Sequence, residues 1–142
     1  MKTNLEEGLH WADLSIQNEE RFDKVMIQAG LLQALDRGAD AKAARDHAME
    51  IGNATRIYFF GRQLQSQNQE TQAMAAFRVV AQRFPNRWIA HLAQARVDSA
   101  AGNFASAVKN LQAAPAGGVS DQSKPALENY LKRAQSRQDF NR

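Results

Sequence analysis

Residues 57–64 read IYFFGRQL, and Ile57, Phe60, Gly61 and Leu64 fall on one face at helical spacing. Glycine inside a helix costs about 1 kcal/mol against alanine, so the position calls for a close approach by a neighbouring element. A polar turn follows at Gln67 to Gln69, then a second helical stripe of Ala73, Ala76, Phe77 and Val80. Pro85 cannot continue a helix and disfavours helical geometry at Phe84, so the second helix stops there. Asn86 suits the N-cap of another helix that begins at Arg87 or Trp88. The unit is a helix, a tight turn and an antiparallel helix.

Working outward, a shift of 34 residues lays 54–87 over 88–121 without a gap. Gly61 falls on Ala95, Arg62 on Arg96, Ala73 on Ala107, Phe77 on Leu111 and Asn68 on Gly102. This pattern resembles the tetratricopeptide repeat, whose 34-residue frame places Gly61 at position 8, Leu64 at 11, Ala73 at 20, Phe77 at 24, Val80 at 27 and Pro85 at 32. The second unit keeps small residues at Ala95 and Ala107, breaks early at Pro115 and has Asp98 where a large residue is usual. The resemblance implies that Gly61 and Ala73 face each other where the two helices cross.

The resemblance also implies an all-α, tetratricopeptide-like helix-turn-helix repeat array, an α-solenoid with a C-terminal capping helix, spanning residues 1–142. Its parts are an orphan second helix at 4–17, a divergent repeat at 20–51, repeats at 54–87 and 88–115, and a capping helix at 122–138. In the divergent repeat Gly38 is taken as the turn residue, which puts Ala43 at position 20 and His47 at position 24. The stripe of Leu127, Tyr130, Leu131 and Ala134 suits a cap over the last apolar face, and the final QSRQDFNR reads as a frayed tail. Leu5, Leu9, Ala12 and Ile16 form one stripe of the first helix, with Trp11 and Leu14 off it. A helix lacking its partner in this way is expected to self-associate or fray.

The order EEGLHWADLSI, GADAKAA, YFFGRQLQ and AFRVVAQRFPNRWIAHLAQAR is similar to the helical C-terminal region of bacterial proteins with an uncharacterised β-rich domain upstream. That similarity implies a piece of a longer, exported parent and an appended interaction or scaffolding region. It leaves open an accessory role beside an enzyme domain upstream.

Composition fits this reading. Few prolines and β-branched residues, with much alanine and glutamine, favour helix. No apolar run reaches the roughly 18 residues that span a bilayer, and the start lacks the layout of a secretory signal, so no membrane partner is expected. The absence of cysteine excludes disulfides, thiolate metal sites and a cysteine nucleophile, and leaves the compartment undetermined. Residues 1–53 carry six Lys/Arg against ten Asp/Glu, and 54–142 carry twelve against five. The basic half would attract an acidic partner.

Candidate chemistry is sparse. His10, His47 and His91 have no second ligand at metal spacing, and His47 and His91 fall on packing positions of their repeats. Glu6/Glu7 and Glu19/Glu20 are adjacent and point about 100° apart on a helix, so neither pair flanks a bond. Gly117 and Gly118 follow a helix, not a strand, and make no phosphate loop. No catalytic, cofactor or metal residue is assigned, and the chain is read as a non-enzyme.

The remaining surface is the concave groove that the resemblance implies. Its positions here are Thr55, Tyr58, Phe59, Arg62 and Gln65 in one unit and Ile89, Leu92 and Arg96 in the next. An apolar floor with Arg62 and Arg96 in register suits a protein or peptide ligand, and an acidic one if both arginines face it. The Lys/Asn carboxylate clamp of chaperone-binding relatives is missing, since Gln28, Leu32, Phe59, Ile89 and Ala93 stand in those places. RNA readout by helical repeats needs many tandem units with defined polar side chains, and Thr55/Ile89 and Tyr58/Leu92 are not such a set.

Overall fold

A computed structural model describes residues 2–142; Met1, where the expected array starts, lies outside the described residues. The described residues are all-helical. They form α1 (Lys2–Asn18), α2 (Phe22–Ala34), α3 (Gly38–Ile51), α4 (Ala54–Ser66), α5 (Glu70–Arg83), α6 (Trp88–Ala100), α7 (Phe104–Ala113) and α8 (Lys124–Gln135), with a 3-10 turn at Ala114–Gly117. The chain divides into two compact units, Met1–Asn53 and Ala54–Arg142.

One turn recurs in both units. At the end of α4, Asn68 takes a left-handed φ of 59°, as Gly102 does after α6 with 78°. The N–H of Gln69 then reaches Leu64 O at 2.9 Å and that of Asn68 reaches Gln65 O at 3.0 Å. After α6, Asn103 bonds Asp98 O at 2.8 Å and Gly102 bonds Ser99 O at 3.1 Å. This is the Schellman closure, in which a left-handed residue lets two N–H groups satisfy the last helix carbonyls. α2 closes the same way at Asp36 (φ 58°), with Arg37 N–H on Leu32 O, and α8 at Arg137 (φ 57°), with Gln138 N–H on Arg133 O.

The turn after α2 corrects the register expected for the divergent pair. Asp36, not Gly38, is the left-handed residue, and Gly38 is the first residue of α3. Aligning Asp36 with Asn68 puts Ala29, Leu32, Ala41 and Ala48 at the places of Gly61, Leu64, Ala73 and Val80, and all four are buried. His47 thereby leaves the packing position assigned to it. It sits half-exposed, bonded to Glu20 and facing Glu50.

In the first unit Leu9 of α1 packs with Leu32 of α2 and Ala41 of α3. Gln28 Nε2 ties α2 to Asp13 of α1 at 2.8 Å. Trp11 and Leu14 of α1 and Ile27 of α2 are exposed.

In the second unit α4 packs on α5 and α6, α5 on α6, α6 on α7, and α7 on α8. Ile57, Phe77 and Val80 have no exposed surface. Burying a Phe or Ile side chain contributes about 1.5–3 kcal/mol. Pro85 stops α5 at Arg83 as the sequence predicts. The N-cap of α6 is Arg87, not Asn86, with extended backbone (φ −93°, ψ 145°) and no side-chain cap bond.

The close approach at Gly61 is real, but its source differs from the expected Ala73. A Cβ built on Gly61 would lie 2.6 Å from Phe77 Cε1 and 3.0 Å from Cδ1 and Cζ. Phe77 sits one helical turn beyond Ala73 on α5, so its ring fills the space that the missing side chain leaves.

Asp98, unusual at its position, is buried and bridges α6 to α7. Its Oδ1 accepts from Gln94 Nε2 at 3.0 Å, and its Oδ2 from Ser106 Oγ at 2.7 Å and Asn110 Nδ2 at 3.1 Å.

Candidate functional site

Of the eight groove residues named from the sequence, five lie on α4 and three on α6, and their exposure differs. Thr55 and Phe59 are exposed, Phe59 by 62%, with its ring edge-on to Tyr58 at 5.8 Å between centroids. Arg62 is half-buried, and its Nη1 donates to Gln65 Oε1 at 2.7 Å. Tyr58, Gln65, Ile89, Leu92 and Arg96 are buried.

Arg96 is 1% exposed, the largest of the fully buried side chains. The repeat frame implied by the resemblance put it in register with Arg62 on the groove; instead it points into a cluster of rings. Its guanidinium lies 5.0 Å from the ring centre of Tyr130, 5.3 Å from Phe140, 5.7 Å from Tyr58 and 5.9 Å from Phe77. The negative ring faces supply attraction that a buried cation needs in place of water. Its Nε donates to Tyr58 Oη at 2.7 Å. Burial pushes the Tyr58 phenol up from its ordinary value, against the pull of the Arg96 charge.

What covers this cluster is the segment after α8. The residues expected as a frayed tail are docked instead: Phe140 is 3% exposed and stacks on Tyr130 at 4.9 Å between centroids. Asn141 Oδ1 accepts from Gln65 Nε2 at 2.9 Å and from Arg96 Nη1 at 3.2 Å, while its Nδ2 donates to Arg96 O at 2.9 Å. Arg62, Gln65, Asn141 and Arg96 thus form one relay, with a carboxamide where an acidic group was expected between the arginines. Ser99 Oγ donates to Asp139 Oδ1 at 2.8 Å and accepts the Phe140 N–H at 3.2 Å. Arg133 of α8 holds the carbonyls of Asp139 and Arg142, both at 2.7 Å.

Burial works against the charge of Asp139, but the Asn141 N–H, the Ser99 hydroxyl and the Asn141 carboxamide all donate to it. The net effect holds its carboxyl below the usual carboxylate range. His47, in the first unit, is raised above its ordinary value by its hydrogen bond to Glu20.

No family model, curated protein or solved structure matches this chain. Its chemistry must therefore be read from its own side chains. Among the described residues no group of three or more His, Asp or Glu could hold a metal ion, and no helix is long and apolar enough to cross a membrane.

Sequence reasoning missed Asp139, Phe140 and Asn141 as residues docked against α4, α6 and α8. The one signal available was Phe140, a lone large apolar residue in the polar run SRQDFNR. Periodicity cannot register it, because a single anchor has no period.

Proposed function

We propose that this chain is a non-catalytic interaction module built from tetratricopeptide-like helix pairs, and that the face of α4 and α6 binds a peptide or a segment of a partner domain. The observation that carries this reading is that side chains of α4 and α6 already hold a short turn of polypeptide, residues 139–142. Side chains of α4, α6 and α8 grip both the side chains and the backbone of residues 139–142. Surfaces of this kind gain specificity from a buried aromatic anchor and affinity from backbone hydrogen bonds.

The parts left open at the edge of the site are Thr55, Phe59 and Arg62, and these are the positions offered to a partner. Arg62, in a unit rich in Lys and Arg, favours an acidic one; Arg96 is too deeply buried to share that role. Binding to such an open site weakens with salt. The test measures binding of acidic and neutral peptide pools to wild type, Phe59→Ala and Arg62→Ala at low and high salt. The reading predicts a preference for acidic peptides that Arg62→Ala removes and overall binding that Phe59→Ala weakens. Indifference to both substitutions would refute it.

A further inference from the structure

We propose that Asp139–Arg142 is an exchangeable ligand, and that the face of α4 and α6 recognises a partner segment with a carboxylate, an aromatic ring and a carboxamide in succession. This rests on the peptide-binding reading above and names the chemistry of the partner. The segment held in cis shows what the site selects.

Each element of the selection has a counterpart. The ring of Phe140 enters a pocket walled by Tyr130 and the Arg96 guanidinium, and Phe140 is its sole apolar filler from the tail. The carboxamide of Asn141 meets both a donor pair, Gln65 Nε2 and Arg96 Nη1, and an acceptor, Arg96 O. A carboxylate in that place would lose the bond to Arg96 O, and an aliphatic side chain would leave buried polar groups unpaired. The carboxylate of Asp139 takes the Ser99 hydroxyl and folds back on the Asn141 N–H at 3.0 Å. Arg133 reads only carbonyl oxygens, a contact any sequence can make.

Three features make the tail removable. α8 completes its own C-terminal closure through Gln138 N–H and Arg133 O, so the helix does not depend on residues 139–142. The segment leaves α8 through Arg137, the left-handed residue of that same closure (φ 57°), so its exit point is fixed by the helix end and not by the docking of the tail. Undocking also opens Arg96 to water while it keeps Tyr58 Oη, so no buried charge is stranded.

A short tether gives the tail an effective concentration in the mM range, so the wild-type face is mostly self-occupied. A partner displaces it by adding contacts that the tail does not use, and half-buried Arg62, which shares Gln65 with Asn141, lies beside the docked segment for that purpose.

The test uses a fluorescent QDFNR peptide, corresponding to residues 138–142, titrated into the full chain as wild type and as Phe140→Ala/Asn141→Ala. The double variant should bind the peptide at least tenfold tighter than wild type. The peptide should also raise its melting temperature towards that of wild type, and an alanine in place of the peptide's phenylalanine should abolish both effects. A folded double variant that ignores the peptide overturns the proposal, as does equal binding by both proteins. A double variant that unfolds and is not rescued by the peptide shows the tail to be an integral part of the fold, and also overturns it. If wild type instead dimerises by exchanging tails at concentrations where the peptide does not bind, the occupant is a second copy and the partner assignment falls. An acidic preference that is absent, or that Arg62→Ala leaves unchanged, with retained QDFNR binding would refute the edge-contact reading and leave the tail-ligand assignment standing.

Discussion

Replacing Gly61 by alanine adds one methyl group where the structure leaves no room for it. The new Cβ would stand 2.6 Å from Phe77 Cε1, so the ring must retreat by about 1 Å to reach an ordinary carbon contact of about 3.5–4.0 Å. Phe77 has no exposed surface, lies 5.3 Å from the Tyr58 ring and stands under the Arg96 guanidinium. Its retreat therefore disturbs the buried cluster. Overpacking of this kind costs about 1–3 kcal/mol, and the helix propensity of alanine returns about 1 kcal/mol. The expected net loss is about 1 kcal/mol, or about 4–8 °C in melting temperature for a unit of this size. Gly30 of α2 provides the control, since nothing lies within 4 Å of a Cβ there. Gly30→Ala should stabilise by up to about 1 kcal/mol through propensity alone. Urea unfolding followed by circular dichroism measures both variants, and Phe77→Leu combined with Gly61→Ala should recover part of the loss as a coupling energy. If Gly61→Ala matches or exceeds wild type, or shows no coupling to Phe77, the account of this crossing is wrong.

At Gly117 a Cβ would run into the backbone of Arg87 and Trp88, which cannot swing aside as a ring can, so Gly117→Ala should destabilise more than Gly61→Ala in the same urea assay. Arg137→Gly removes the strain of a left-handed side-chain residue, about 1–2 kcal/mol, against a greater unfolded-chain entropy of about 0.5–1 kcal/mol; it should raise stability by about 0.5–1 kcal/mol. Because the folded protein holds Asp139 below its ordinary value, its contribution is complete above that value and is lost as pH falls through the depressed one. Hydrogen exchange at the Phe140 amide should therefore accelerate in acid relative to neighbouring helices, and Asp139→Asn should flatten that pH dependence. Trp11 and Leu14 of α1 are exposed, so Trp11→Ser/Leu14→Ser should abolish any concentration-dependent light scattering of the wild type. Unchanged scattering would clear that surface of a role in self-association.

The helix pairs from Ala54 to Ala113 were legible because their determinants are local: a proline that ends α5, small residues at fixed spacing and a turn residue in register. The pair before them was legible as helices but misaligned. Gly38 looked like the turn because glycine tolerates any backbone, yet Asp36 adopts the left-handed form with little penalty and fixes the frame two residues earlier. Arg96 illustrates a different limit. Its periodic position is shared with Arg62, but helical spacing does not say whether a cation finds solvent or a ring cluster, and the rings of Tyr130 and Phe140 arrive from far along the chain. The tail lay beyond reach for the same reason, since its hold depends on partners 40 or more residues away, such as Ser99 for Phe140.

The repeated Schellman closure governs where this protein can change length. Each such turn satisfies two carbonyls with two consecutive N–H groups around a single left-handed residue, so an added or deleted residue breaks both bonds together. The link between α7 and α8 has no such closure: Ser120, Asp121 and Gln122 are exposed, and Gly118 is left-handed with open space around it. Foreign loops, affinity tags and protease cuts should be accommodated between Gly118 and Gln122, whereas the turns at Asn68 and Gly102 should reject them. A chain built this way can grow or be rewired between its hairpins while each hairpin is inherited whole.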